Sequence, residues 1–461
     1  MVHVIVGGGV AGTSCAKTLL NLGHEVILIA PDTLKILKPD TQSTELLKSY
    51  KLDTADDEIS FLKSVKFGVE IDYSSKFTWI KSTVKSIDAE NKTLGVGTGN
   101  SISFDKICFC TGAKPKTLTE ITIPRYHLRD VDSVLTLKSA LDNVKESVAI
   151  IGSGGIAFDL VHGLKSAKNS NLKNVYWFYD ESKTCEKYFD ELALKFLLDD
   201  KSRKNQGEEI CDGCEVFKRK PRNKPTGGAS VGGTNWQPLM FENGENANDI
   251  KNGQNNENGS QNYPKLHLMK QPVTNDLLKT HNCELAVVAI GVDEHLPFFE
   301  SRKVDSNMRL INHENHQIFA AGDCCEIVWP TEEAPQFFQM KLWSQAQLFG
   351  QWAAVCMDSH QESVDFVFNT FAHMTEFFGY KVIYLGLYRY SEGDATFHYR
   401  VTTGVEYVKL VIVNGRVIGA VLIGDTDMEE VMETLIQNEM NISSIEDDIL
   451  NPDIDLDHYF D

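Results

Sequence analysis

Long apolar runs are missing from this 461-residue chain. No stretch of about 18 uninterrupted apolar residues occurs, so no membrane association is expected. Positive charge is scarce as well: 45 Lys and Arg against 65 Asp and Glu leave a formal net charge of −20. A chain without a basic face cannot displace the counterions held by duplex nucleic acid, so direct nucleic-acid binding is not expected. Any link to RNA would pass through a protein partner. The ten cysteines follow no regular framework, which argues for free thiols in a reducing compartment. A metal site is not expected either. His313 and His316 form an HxxH on a polar turn, and Cys211 and Cys214 form a lone CxxC without the second pair of a zinc site. Met1 leads directly into an apolar strand and leaves no room for a signal peptide, so a cytosolic or nuclear location is the expectation.

What the chain does contain is a glycine pattern, used twice. Val2 to Val6 reads as a buried strand, and Gly7, Gly9 and Gly12 follow it directly, with an apolar helical pattern from about Val10 to Leu22. Strand, GxGxxG and helix in that order form a dinucleotide fingerprint. The first glycine permits a tight turn, the second lets backbone N–H groups approach a pyrophosphate, and the third lets the helix start close to the strand. The helix N-terminus adds partial positive charge. The companion strand, EVILIA, ends on Ala30 where an acidic residue commonly binds ribose, so Asp32 or Lys35 would have to supply that contact. The second copy begins at Val148 to Ile151, where Gly152, Gly154 and Ala157 fill the GxGxxG/A positions, with Gly155 and Ile156 between them. Its companion strand, NVYWFY, runs to Asp180, which suits a free ribose, while Lys183 lies close enough to serve a 2′-phosphate. The choice between NADH and NADPH therefore stays open. Two fingerprints 145 positions apart imply two dinucleotides, one resident and one visiting.

Other stretches divide the rest. At 461 residues the chain is too long for one core, so several domains are expected. Short strands from Lys76 to Thr98, with turns at Asn91 and Gly95–Gly99, precede an apolar strand that ends in Thr111-Gly112-Ala113. Residues 201–265 are rich in Asn, Gly, Lys and Glu and hold too little apolar surface to offset ordering entropy, so a largely disordered insertion is expected there. CELAVVAIG reads as a buried strand ending on Gly291, and IFAAGD ends on Gly322-Asp323. Residues 338–357 read as an amphipathic helix, with Trp343 and Gln347 on its functional face. The remainder is β-rich, with a type I′ hairpin signal at Asn414-Gly415, a helix from about Asp427 to Met440 capped by Asp427, and an acidic tail. Cys108 and Cys110 alternate on a buried strand and read as packing.

The order of these features resembles the pyridine nucleotide-disulphide oxidoreductase superfamily over nearly the whole chain, and the resemblance is closer to one branch of it in CFCTGAKPK, IIGSGGIAFDLV, AAGDCC, MKLWSQA, GAVLIGDTDMEE and the terminal NPDIDLDHYFD, the last two being the most specific. The resemblance implies an α/β chain with two Rossmann-like dinucleotide-binding domains, for FAD and NAD(P)H, plus an α+β C-terminal domain. The divisions it suggests are 1–117 and 284–362 for the FAD domain, 118–283 for the NAD(P)H domain and 363–461 for the C-terminal domain. It implies FAD bound by Gly7, Gly9, Ala11, Gly12, Lys35, Thr111, Gly112, Ala113, Arg129, Gly322 and Asp323. It likewise implies NAD(P)H bound by Gly152, Gly154, Gly155, Ile156, Ala157, Asp159, Asp180 and Gly291. Asp159 would face the nicotinamide and Trp343 the flavin, with no catalytic residue assigned. One branch of the family implies a nuclear and cytoplasmic role in oxidative-stress defence, including association with the tRNA ligase complex.

The mechanism turns on another absence. Many family members carry a redox cysteine or a CxxxxC within the first 60 residues, whereas this chain has only Cys15 there, inside the first helix. A flavin-linked dithiol step would lack its nucleophile. The expectation is an FAD-dependent NAD(P)H oxidoreductase that passes electrons to oxygen, a quinone-like molecule or a partner protein. The competing reading is a redox-sensing binding module that holds a long-lived NAD(P)H–FAD complex with little turnover. A third reading makes Cys324 and Cys325 a substitute redox pair.

Overall fold

The computed structural model describes residues 1–31, 75–97, 99–129, 131–166, 171–180, 188–198, 263–313, 317–329, 337, 339–359, 368, 370–390 and 395–451. The chain divides into two compact units. One comprises 1–114, 292–335 and 339–368, and the other comprises 115–291, 336–338 and 369–461.

The first unit is built on a five-stranded sheet in the order Ile318–Ala320, Lys106–Phe109, Val2–Val6, Glu25–Ile29, Phe77–Ile80. Every pairing in it is parallel. Strands buried on both faces need near-continuous apolar side chains, and Val4, Ile5, Val26, Leu28, Ile107, Cys108 and Ile318 are fully enclosed. His3 is the polar exception, equally buried, with its ring 4.5 Å from that of His24. The helix Val10–Asn21 follows the first strand and meets the helix Trp343–Asp358 at glycine distance, since a Cβ on Gly350 would sit 2.1 Å from the Ala11 carbonyl oxygen. An antiparallel meander of Val84–Asp88, Thr93–Val96 and Asn100–Ser103 completes this part. Gly95, expected in a turn, lies inside the middle strand, where a Cβ would meet Ser86 Oγ at 2.4 Å.

The second unit holds a second all-parallel sheet, in the order Lys265–Met269, Asn174–Phe178, Ser147–Ile151, Cys283–Val288, Arg125–Tyr126. It also holds an antiparallel sheet ordered Ala372–Phe377, Tyr380–Gly386, Arg416–Gly424, Glu406–Val413, Thr396–Thr402. Asn414 (φ 51°) and Gly415 (φ 67°) both take the left-handed conformation that a type I′ hairpin requires. The helix Glu429–Gln437 lays Met432, Leu435 and Ile436 on this sheet.

Two more local expectations are corrected. Asp427 does not occupy the cap position of the helix Glu429–Gln437. It sits at φ 50°, Met428 occupies the cap position, and the Met428 side chain makes no capping bond. The helix expected from residue 338 begins at Trp343, because Lys341 takes φ 60° and Leu342 is extended. No helix among the described residues is long and apolar enough to cross a membrane.

Candidate functional site

The first cradle lies at the carboxyl ends of three adjacent strands, where parallel α/β sheets bind ligands. Val2–Val6 runs into the glycine turn, Lys106–Phe109 into Thr111-Gly112-Ala113, and Ile318–Ala320 into Gly322-Asp323. Gly7 takes φ 116°, and a Cβ there would lie 2.2 Å from the Cys110 carbonyl oxygen. Gly12 is pinned in the same way, with its hypothetical Cβ 2.0 Å from the Gly7 oxygen. Gly9 is different. It is exposed, has nothing within 4 Å of a Cβ, and adopts φ −78° and ψ −170°, which any residue tolerates. Its freedom from side chain therefore serves the open space and not the backbone. The helix behind it has no capping side chain and no acid in its first turn, leaving its N–H groups directed at that space. These residues fit a bound dinucleotide.

The flanking loops close on the same edge. The Thr111 hydroxyl donates to the His295 carbonyl, and the His295 N–H donates to the Gly112 carbonyl at 3.0 Å. Gly112 (φ 71°) and Gly322 (φ 82°) are left-handed, and a Cβ on Gly322 would press on Ala11 Cβ at 2.8 Å. Gln339 Nε2 donates to the Cys325 carbonyl at 2.9 Å, which ties the segment before Trp343 to the Gly322-Asp323 turn. Trp343 is half-buried at the start of its helix. Lys35 and Asp32 lie outside the described residues, as do Cys211, Cys214, Lys183 and His316. Arg129 is an exposed residue of the second unit, and its backbone N–H donates to Ser133 Oγ at 2.9 Å.

Thiols crowd this region and all are enclosed. The Cys108 and Cys110 sulfurs are 3.6 Å apart, and the Cys324 thiol donates to the Phe109 carbonyl at 3.2 Å. The Cys325 thiol, then the N–H groups of Thr111 and Gly112 and the Thr111 hydroxyl, hold the Cys324 thiol below its usual range. Cys325 is pushed well up by Cys324 and by burial. The described cysteines, namely Cys15, Cys108, Cys110, Cys283, Cys324, Cys325 and Cys356, are buried and free.

The second cradle repeats the construction. Gly152 takes φ 146°, a Cβ there would meet the Ala289 oxygen at 2.2 Å, and its own carbonyl accepts from Trp177 Nε1 at 2.8 Å. The helix Gly155–Ser166 starts directly behind it, with Ile156 41% exposed and Ala157 fully enclosed. Asp180 is exposed, and its N–H donates to Ser153 Oγ at 2.9 Å. Gly291 (φ 97°) has open space where a Cβ would stand. Asp159 is buried, and desolvation raises its carboxyl pKa well above the ordinary value. One neighbour escaped the sequence reading: the Tyr188 ring and hydroxyl lie 3.6 Å from where a Gly154 Cβ would be. A tyrosine in a polar stretch between companion strand and helix carries no periodic signal, so nothing in the sequence marks it. Among the described residues, no His, Cys, Asp or Glu group could hold a metal ion.

Comparison with known proteins agrees with this construction. Residues 1–207 match the family model for pyridine nucleotide-disulphide oxidoreductase, and residues 372–440 match the rubredoxin NAD+ reductase C-terminal domain. The chain is 30% identical to pyridine nucleotide-disulfide oxidoreductase domain-containing protein 1 of Rattus norvegicus, over 99% of this chain and 98% of that protein. It is 28% identical to the protein of the same name in Dictyostelium discoideum, over 99% of both. The fold is shared with NADH:rubredoxin oxidoreductase from Clostridium acetobutylicum, at a TM-score of 0.59 and 15% identity over 97% of this chain and 98% of that one. It is also shared with a covalent putidaredoxin reductase–putidaredoxin complex, at a TM-score of 0.56 and 12% identity over 95% and 94%. The chain belongs to the pyridine nucleotide-disulphide oxidoreductase family, and is an oxidoreductase with FAD and NAD(P)H as its cofactors.

Proposed function

We propose that this protein is an NAD(P)H-dependent flavin oxidoreductase that works without a redox-active disulphide and delivers electrons to oxygen or to a protein partner. FAD, when bound, supplies a hydride acceptor for NAD(P)H and a route onward for the electrons. The residues divide the remaining work. Gly7, Gly9, Gly12, Thr111–Ala113 and Gly322-Asp323 would hold the resident cofactor, and Gly152–Ala157 would hold the visiting one. The helix starts would offer partial positive charge to the pyrophosphates, and burial, which raises the Asp159 pKa, would reduce the negative charge that side chain brings to the second cradle.

The observation that carries this reading is the burial of Cys15. It is the only cysteine in the first 60 residues and it is fully enclosed in the helix Val10–Asn21. Thiol–disulphide exchange needs an accessible thiolate, and this one has no access. A partner protein as acceptor is supported by the fold shared with a reductase joined to putidaredoxin. The family resemblance supports a role in the nucleus and cytoplasm in oxidative-stress defence, with protection of the tRNA ligase complex as its specific form. Aerobic turnover tests the reading. NAD(P)H consumption far beyond the protein concentration, with oxygen or a soluble electron-accepting dye, supports the enzyme. Stoichiometric NAD(P)H binding without turnover by any acceptor would instead establish a binding module.

A further inference from the structure

The companion strand of the first cradle ends without an acid, and the neighbouring strand brings an aromatic ring to the same place. Trp79 lies in the edge strand Phe77–Ile80 and donates from Nε1 to the Ala30 carbonyl at 3.2 Å. Ala30 stands where an acidic side chain commonly meets the ribose hydroxyls of a bound dinucleotide. Its own side chain is a buried methyl and offers them nothing. The indole is thereby fixed at the carboxyl end of Glu25–Ile29. The register decides its side. Trp79 pairs with Leu28, Leu28 with Ile5 and Ile5 with Cys108, so these four side chains share one face of the sheet. The Cys108 thiol bonds Cys15 of the helix Val10–Asn21, which makes this the face that the helix behind the glycine turn covers.

The backbone that carries the ring is held from both sides. The Ala30 N–H donates to the Ile80 carbonyl at 3.1 Å, and the Ser82 N–H turns back to that carbonyl at 2.8 Å. Beyond the turn, the Gly97 N–H donates to the Thr83 carbonyl at 3.1 Å. The indole itself is half-buried, and the exposed Lys81 sets its ammonium 4.5 Å from the ring centroid. A cation over an aromatic ring, carried on an exposed and flexible stem, marks a face that solvent reaches and a flat ligand can take. A purine stacks on such a face. The ammonium released from the ring has three donors for the ligand's oxygens.

We propose that Trp79 is the platform on which the adenine of FAD stacks in the first cradle, replacing the hold on adenosine that an acid at Ala30 would give. The proposal rests on the reading of Gly7–Gly12 as the seat of FAD. Flavin-free, full-length protein would be titrated with FAD by flavin fluorescence as wild type, Trp79→Val and Gly9→Ala, with the urea midpoint as the check on folding. Trp79→Val should weaken FAD binding about tenfold, the worth of one stacked base. Position is read separately with ADP, which carries the adenosine and does not absorb the indole's emission. ADP should quench the tryptophan emission of the wild type more than that of Trp79→Phe, in which this indole is gone. ADP in the other cradle would change both alike. Unchanged or tighter FAD binding in a folded Trp79→Val overturns the proposal, and so does equal quenching of wild type and Trp79→Phe. If Trp79→Val does not fold, the ADP comparison decides alone. Gly9→Ala tests the seat itself. Wild-type FAD affinity in that variant overturns the reading of the first cradle and the proposal with it, whereas loss there without loss in a folded Trp79→Val overturns the proposal alone.

Discussion

Gly7 and Gly9 stand two residues apart in one turn, yet alanine at each should fail in opposite ways. At Gly7 the new Cβ forces an L residue to φ 116° and collides with the Cys110 carbonyl at 2.2 Å. Backbone strain of that kind costs about 1–3 kcal/mol, and overpacking against a neighbour that cannot move adds about 1–3 more. The obstacle is main chain held by the Cys110 N–H to Val6 carbonyl bond of 2.7 Å, so relaxation is limited. A loss of roughly 2–6 kcal/mol is a large part of the 5–15 kcal/mol typical of a folded domain. At Gly9 the backbone is extended and the space is empty, so alanine should change stability of the flavin-free protein by no more than about 0.5 kcal/mol. Its methyl would stand in the cofactor's place. The assay pairs urea unfolding of the flavin-free proteins with the flavin-to-protein absorbance ratio after purification. Gly7→Ala should lower the unfolding midpoint, and Gly9→Ala should keep it while losing most of its flavin. Full flavin retention by Gly9→Ala, or equal destabilisation by both variants, would refute the reasoning.

Three further outcomes follow from other parts of the structure. Brief labelling of native protein with a thiol reagent, read by mass spectrometry, should leave Cys15, Cys108, Cys110, Cys283, Cys324, Cys325 and Cys356 unmodified, because all are buried. Asp190→Ala removes a helix cap and leaves the fully enclosed Tyr407 hydroxyl without its acceptor, which should cost about 2–4 kcal/mol in urea unfolding. Burial, then the charges of His24 and Lys106, lowers the His3 pKa from 6.5 to about 4. The unfolded chain then binds the proton that the folded one refuses, so this contribution to stability is complete above pH 6.5 and is lost as pH falls toward 4. The loss should reach ~1–2 kcal/mol by about pH 5, and His3→Leu should flatten the acid limb of the stability curve.

Legibility in the sequence followed the strength of the local constraint. Gly7 and Gly152 could be read directly, because only glycine allows their φ values and close approaches, and Gly12 because a Cβ there would meet the Gly7 oxygen. The inner strands of the parallel sheets were readable from unbroken apolar runs and the hairpin from Asn414-Gly415, whereas the outer strands Lys265–Met269 and Arg125–Tyr126 carry no such run. Features that depend on distant contacts were not readable. Tyr188 has its place because Phe189 and Asp190 are anchored by residues such as Tyr407, 217 positions from Asp190. The helix start at Trp343 was missed because the left-handed Lys341 is a tertiary outcome, its Nζ tied to Glu294. Asp427 looked like a cap because its residue type suits one, but its backbone is bent the wrong way.

The central claim, a flavin oxidoreductase without a redox disulphide, is tested most directly by the reductant required in an anaerobic titration. NAD(P)H would be added without oxygen while visible absorbance is followed to its end point. A flavin alone accepts two electrons, so the account predicts complete loss of the oxidised-flavin band after one equivalent of NAD(P)H per flavin. An end point at two equivalents would reveal a disulphide sharing the electrons, and bound flavin that keeps its oxidised spectrum in excess NAD(P)H would contradict the account altogether.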